Sequence, residues 1–181
     1  MQELDDITLK KAARGDQKAF KSLYDLYAPF IWKVLFPISE RDMTTARELL
    51  QDTFVKVYEA LRQFKGESAL STWLYRIAYT TAMGHTRKRK NRFRFQPYDD
   101  TLVGSNRTDT YDDRQLARKV LDSLSTNERF LLIAREIDGI SFDDLSLITG
   151  QKSGALRTRL HRLKESIRKS FPQEQLTVSE V

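Results

Sequence analysis

The chain contains no cysteine among its 181 residues. That excludes a disulfide framework, a thiolate metal site and redox sensing through its own thiols. Its two histidines, His85 and His161, lie far apart, so a zinc site built from its own side chains is not expected. Glycine and proline are scarce, at seven and four, and the polar stretches cluster instead of alternating with short strands. No apolar run approaches a membrane span, so membrane insertion is not expected. The first residues are acidic and then amphipathic, unlike a secretory leader. No glycine-rich phosphate loop, nucleophile–base pair or metal-ligand cluster stands out, so neither an enzyme nor a cofactor-binding protein is expected. A soluble cytoplasmic protein is the expectation that remains.

Helix-forming residues fill the periodic segments, which predicts an all-α fold. Asp16 suits a helix N-cap. Phe20, Leu23, Tyr24, Tyr27, Ile31, Val34 and Leu35 then recur at three- and four-residue spacing, the pattern of one buried face. Pro29 lies inside this run, a position at which proline can kink a helix. A further helix over about 44–64 carries Ala46, Leu49, Leu50, Phe54, Val57 and Leu61 on its apolar stripe, with Glu48, Gln51, Asp52, Lys56 and Glu59 off it. Lys65-Gly66-Glu67-Ser68 reads as a turn, and Ser71 as the cap of a helix running to about Arg92.

Residues 93–113 hold Pro97, Gly104 and five aspartates with little periodicity, and read as a flexible linker. The expected organisation is therefore two small helical domains, 1–92 and 114–171, loosely tethered, followed by a tail over 172–181. In the second domain, Ser125 and Glu128 have capping-box spacing. Ser141 opens a short helix, Thr149-Gly150-Gln151 forms a tight turn, and Ser153 opens a last helix. Short helix, glycine turn and second helix make a helix-turn-helix, whose second helix reads the major groove.

Charge placement supports contact with nucleic acid. The net charge of +6 is modest, but the basic residues cluster. On the last helix, Leu156, Leu160, Leu163 and Ile167 point inward. Ser153, Gly154, Arg157, Thr158, His161 and Arg162 form the expected DNA face. The helix ending at Arg92 closes on Arg87-Lys88-Arg89-Lys90-Asn91-Arg92, more cation than helix-end compensation requires. Its predicted outer face carries Thr72, Tyr75, Arg76, Tyr79, Met83 and Arg87, with tyrosines placed to stack on unpaired bases or to pack on a neighbouring helix.

Four stretches, in this order, resemble the extracytoplasmic-function (ECF) class of bacterial RNA polymerase sigma factors. They are Gly15-Asp16 with Ala19-Phe20; Ala46 to Phe54; Phe64 to Ala78; and the final helix-turn-helix. The resemblance implies that Glu48, Gln51 and Asp52 grip the polymerase clamp helices. It implies that Lys65, Gly66, Glu67 and Ser68 with Arg76, Tyr79, Thr80, Met83, Arg87 and Lys88 read and open the promoter −10 element, and that the last helix reads the −35 element. Core RNA polymerase (clamp helices and flap) and promoter DNA are the implied partners. The family often has an inhibitory anti-sigma partner as well. Thr80 and Gly84 depart from the family's usual Asn and Asp, so the −10 preference is not set by the family pattern. Two other readings are a helix-turn-helix regulator that binds DNA alone, with its N-terminal half for dimerisation or sensing, and an RNA-binding helical protein.

Overall fold

The computed structural model describes residues 4–93 and 113–171, with side chains for 4–89 and 116–171. Of the linker expected over 93–113, only the two end residues are described, and both are helical. The tail over 172–181 lies outside the described residues. Those described form eight α-helices and no strand: α1 (Asp6–Ala13), α2 (Gln17–Ile38), α3 (Met43–Ala60), α4 (Leu70–Phe93), α5 (Asp113–Ser123), α6 (Thr126–Leu132), α7 (Phe142–Thr149) and α8 (Ser153–Ser170). A 3₁₀ turn over Leu61–Gln63 extends α3, and a π turn over Ile133–Ile137 extends α6.

Local chemistry sets the helix starts. The Asp16 carboxylate accepts the Ala19 N–H at 2.8 Å, and Asp42 accepts that of Thr45 at 2.8 Å. Glu128 accepts the Ser125 N–H at 3.0 Å, completing the expected capping box. Ser141 accepts the Asp144 N–H at 3.0 Å. Gly150 ends α7 in the left-handed region, φ 72°, which glycine adopts without strain.

Helix α2 does not break at Pro29. It runs through both Pro29 and Pro37 to Ile38. The carbonyls that lose their donor belong to Asp25 and Lys33, both exposed residues, where water can replace the missing bond.

Helices α1–α4 enclose a first core around Leu23, Tyr27, Ile31, Leu35, Val57 and Leu74, all fully buried. Helices α6–α8 enclose a second around Phe130, Ile133, Leu145, Ile148 and Leu156. The two units do not hang apart as the loose-tether expectation has it. Helix α4 packs on α6 and α7, α2 packs on α6, and the buried apolar residues form one continuous cluster. The seam exists because α4 is apolar on two sides: Leu74 faces the first core, and Tyr75 and Tyr79 meet the Phe130 ring at 6.3 and 4.5 Å.

Candidate nucleic-acid and polymerase interfaces

Helix α3 buries Ala46, Leu49, Phe54 and Val57, which turns Glu48, Gln51 and Asp52 to solvent. All three expected polymerase-facing residues therefore share one open face. Beside Gln51 lies a groove of about 550 Å³ between α2 and α3, walled by Phe20, Tyr24, Phe54, Val55 and Tyr58. Sequence reasoning missed this groove and placed Tyr24 in the core. Tyr24 instead sits exposed at the rim, its ring 4.6 Å from that of Phe54. Val55 and Tyr58, each about half exposed, were its only sequence signal: two apolar residues off the main stripe of α3.

The loop before α4 leaves Lys65, Gly66 and Glu67 exposed and Ser68 half-buried. Gly66 has φ 72°, a conformation that side chains disfavour. Along α4, Arg76, Thr80, Arg87 and Lys88 are exposed and Met83 is half-buried. The Thr80 hydroxyl donates to the Arg76 carbonyl at 2.9 Å. Arg89 pairs with Glu40 at 2.7 Å; the side chains of Lys90, Asn91 and Arg92 lie outside the described residues.

The tyrosines of α4 do not form the open stacking face predicted for them. Tyr75 is 0 % exposed and Thr72 is buried, because both face the second unit. The Tyr75 hydroxyl donates to Asp138 at 2.5 Å, and that of Thr72 donates to Asp144 at 3.2 Å. Tyr79 is half-buried, against Phe130 and 3.3 Å from the Asn127 side-chain oxygen. Burial raises its phenol pKa, and the nearby Arg159 charge opposes that shift.

Helix α8 buries Leu156, Leu160 and Leu163 and half-buries Ile167, as its apolar stripe requires. Gly154, Arg157, Thr158, His161 and Arg162 are exposed, and Ser153 is half-buried at the first position. The Arg157 guanidinium lies 5.2 Å from the centre of the Phe142 ring, a cation–π contact that orients it. Arg159 and Arg162 line a cleft of about 710 Å³ beside Glu128. The Glu128 carboxyl is held below its ordinary pKa, chiefly by the Ser125 hydroxyl. Among the described residues no cluster could hold a metal ion, and no helix is long and apolar enough to cross a membrane.

The family model for sigma-70 region 2 matches residues 23–92, the segment that carries α3, the turn and α4. Similarity to known sigma factors extends well beyond it. The chain is 29% identical over 188 residues to the RNA polymerase sigma-H factor of Pseudomonas aeruginosa, covering 94% of this chain and 95% of that one. It is 27% identical over 183 residues to the ECF RNA polymerase sigma-E factor of Escherichia coli, covering 90% and 92%. The sigma factor RpoE of Bartonella quintana, solved with the anti-sigma factor NepR, superposes with a TM-score of 0.69 at 25% identity, covering 90% of this chain and 99% of RpoE.

Residues 23–92 thus match sigma-70 region 2, and nearly the whole chain is similar to ECF RNA polymerase sigma factors.

CnrH, solved with the cytosolic domain of CnrY, shares the fold of this chain, with a TM-score of 0.63 at 21% identity over 90% of this chain and 94% of CnrH.

The buried tyrosine gives the protein a measurable pH signature. Burial, and then the Asp138 carboxylate, push the Tyr75 phenol far above its ordinary range. A raised pKa means that its stabilising contribution is complete below the unfolded value, about 10, and is lost as pH climbs above it. Alkaline titration of tyrosinate absorbance in the native chain and in Tyr75→Phe should therefore coincide near pH ~10. The two should differ only where the native chain unfolds. One phenol fewer titrating near pH ~10 in Tyr75→Phe than in the native chain would contradict the placement.

Proposed function

We propose that the chain is an RNA polymerase sigma factor of the ECF class, with its work divided between two domains. The domain over 1–92 acts as region 2, docking on core RNA polymerase and reading and melting the −10 element. The domain over 114–171 acts as region 4 and reads the −35 element, with residues 93–113 as linker and 172–181 as tail. The observation that carries this reading is the exposure of two basic helix faces, on α4 and α8, together with a polar, partly acidic face on α3. Phosphates attract the first two; α3, with Glu48 and Asp52, offers no such attraction and suits a protein partner.

In this scheme Glu48, Gln51 and Asp52 grip the clamp helices, and the aromatic groove beside Gln51 adds desolvated area to the contact. The turn over 65–68 receives a flipped base, Arg76 and Thr80 approach the −10 strand, and Arg87 and Lys88 take phosphates. On α8, Arg157 and Arg162 reach base edges while Ser153 and Gly154 allow close approach of the helix N-terminus to the backbone. The polymerase flap contacts the second domain. An inhibitory partner, as in the solved relative RpoE, would act by covering these same surfaces. The chain serves as an initiation factor and not a catalyst, and works in the cytoplasm with its polymerase.

The docking assignment is tested with the pair Gln51→Ala and Asp52→Ala. Both side chains are exposed, so the fold should survive. Retention on immobilised core polymerase should fall by roughly tenfold or more, as for central interface residues. Equal retention would place the docking surface elsewhere.

A further inference from the structure

Two glycines have no internal reason to be glycine. Gly84 lies within α4 and Gly154 in the first turn of α8. The other described glycines all have positive φ, a backbone that side chains disfavour. Gly84 and Gly154 do not, and a Cβ added at either would meet nothing within 4 Å. Inside a helix glycine is less favourable than alanine, and neither conformation nor internal packing offsets that here. What both positions provide is room at the surface for something outside the chain. Both stand on faces assigned above to DNA.

Each has a threonine one turn away: Thr80 four residues before Gly84, and Thr158 four residues after Gly154. Both threonines are exposed, yet both hydroxyls turn back onto their own helix. Thr80 Oγ1 donates to the Arg76 carbonyl at 2.9 Å and lies 3.0 Å from that of Ile77. Thr158 Oγ1 donates to the Gly154 carbonyl at 3.1 Å. A hydroxyl has one proton to donate, so the part of each side chain left facing outward is its methyl group.

On α4 this pair is bracketed by charge. Arg76, Thr80, Gly84 and Lys88 follow at four-residue steps, which places them on one ridge of the helix. The exposed cations at its two ends attract phosphates. The stretch between them carries no charge and no outward donor, so it cannot read a base by donating a hydrogen bond. Apolar contact is what it offers, and among the four unmodified bases thymine alone carries a methyl group, at C5.

We propose that Thr80 is a specificity-determining residue that selects a thymine in the −10 element by methyl-to-methyl contact, with Gly84 leaving the room for that base to approach. This rests on the reading of α4 as the −10 helix and names the chemical group that the helix selects.

Deoxyuridine differs from thymidine only by the C5 methyl, so it isolates the contact. A promoter selected from a library with the full-length chain and core polymerase would carry deoxyuridine in place of each −10 thymine in turn, with run-off transcription as the readout. At one position the native chain should lose about fourfold, the effect of one methyl group removed from an apolar contact. Thr80→Val, which keeps a methyl and drops the hydroxyl, should show the same loss. Thr80→Ser, which keeps the hydroxyl and drops the methyl, should transcribe the two templates alike. A −10 element in which no thymine is sensitive overturns the proposal. So does a sensitivity that persists in Thr80→Ser or disappears in Thr80→Val. Gly84→Ala should raise the urea midpoint and yet lower transcription from the unmodified promoter; undiminished transcription overturns the role given to the glycine. A native chain that yields no transcripts from any library member with core polymerase would instead defeat the functional reading beneath the proposal.

Discussion

Phe130→Ala should destabilise the protein by about 3–5 kcal/mol, the usual cost of deleting a buried aromatic ring. The side chain is 1% exposed and serves two roles. It fills the core of α6–α8, and it presents its ring to Tyr79 at 4.5 Å across the seam. Removal leaves a cavity bordered by two tyrosines whose hydroxyls are anchored to Asp138 and Asn127, which restrains their collapse into the space. Against a total stability of about 5–15 kcal/mol, the loss would expose much of the second unit. Urea unfolding followed by circular dichroism should show the midpoint fall sharply, with Phe130→Leu recovering much of the difference. A change below about 1 kcal/mol, the range of mild substitutions, would mean that the ring is not buried at a packed seam.

Arg157→Ala and Arg162→Ala are the second pair of large effects. Each should cost about 1–3 kcal/mol of discrimination at the −35 element if the guanidinium reads a base edge. Both side chains stand exposed on α8 opposite its buried leucines. Arg157 is held over Phe142, which Arg135 also approaches at 4.8 Å, so less side-chain freedom is lost on binding. A base-reading arginine relaxes specificity at one position when removed. A phosphate-binding one weakens all sequences alike and lowers the salt slope by about one counterion. Transcription from a −35 library at two salt concentrations separates the two roles. No loss from either substitution would remove α8 as the groove-reading helix.

Much of this architecture can be read from local chemistry. Asp16, the Ser125–Glu128 box, Ser141 and Gly150 mark helix ends through bonds to neighbours three or four residues away, and such bonds depend on little else. The leucine stripe of α8 likewise needs only one partner surface, so its exposed face follows by subtraction. Helix α4 defeats that subtraction. It is apolar towards α2 and α3 and again towards α6 and α7, and periodicity alone cannot say whether a second apolar side meets protein or ligand. Tyr75 and Tyr79 could serve either purpose, and only the fold assigns them to Phe130. Arg129 is harder still. Nothing in its surroundings, Glu128 before it and Phe130-Leu131 after it, announces a cation that will be satisfied by the carbonyls of Leu121 and Asp122 at the end of the preceding helix and of the distant Pro37. Tyr24 shares the spacing of the α2 core but falls at its edge, where the groove beside Gln51 begins.

The exposed residues assigned to DNA and polymerase rest on a single physical division, basic faces on α4 and α8 and a polar, partly acidic face on α3. Run-off transcription tests it most directly: purified chain, purified core polymerase and a promoter library, each omitted in turn. The account predicts specific transcripts only when all three are present, from promoters sharing both a −35 and a −10 element. Sequence-specific DNA binding by a stable dimer, with no transcripts when core polymerase is supplied, would contradict it.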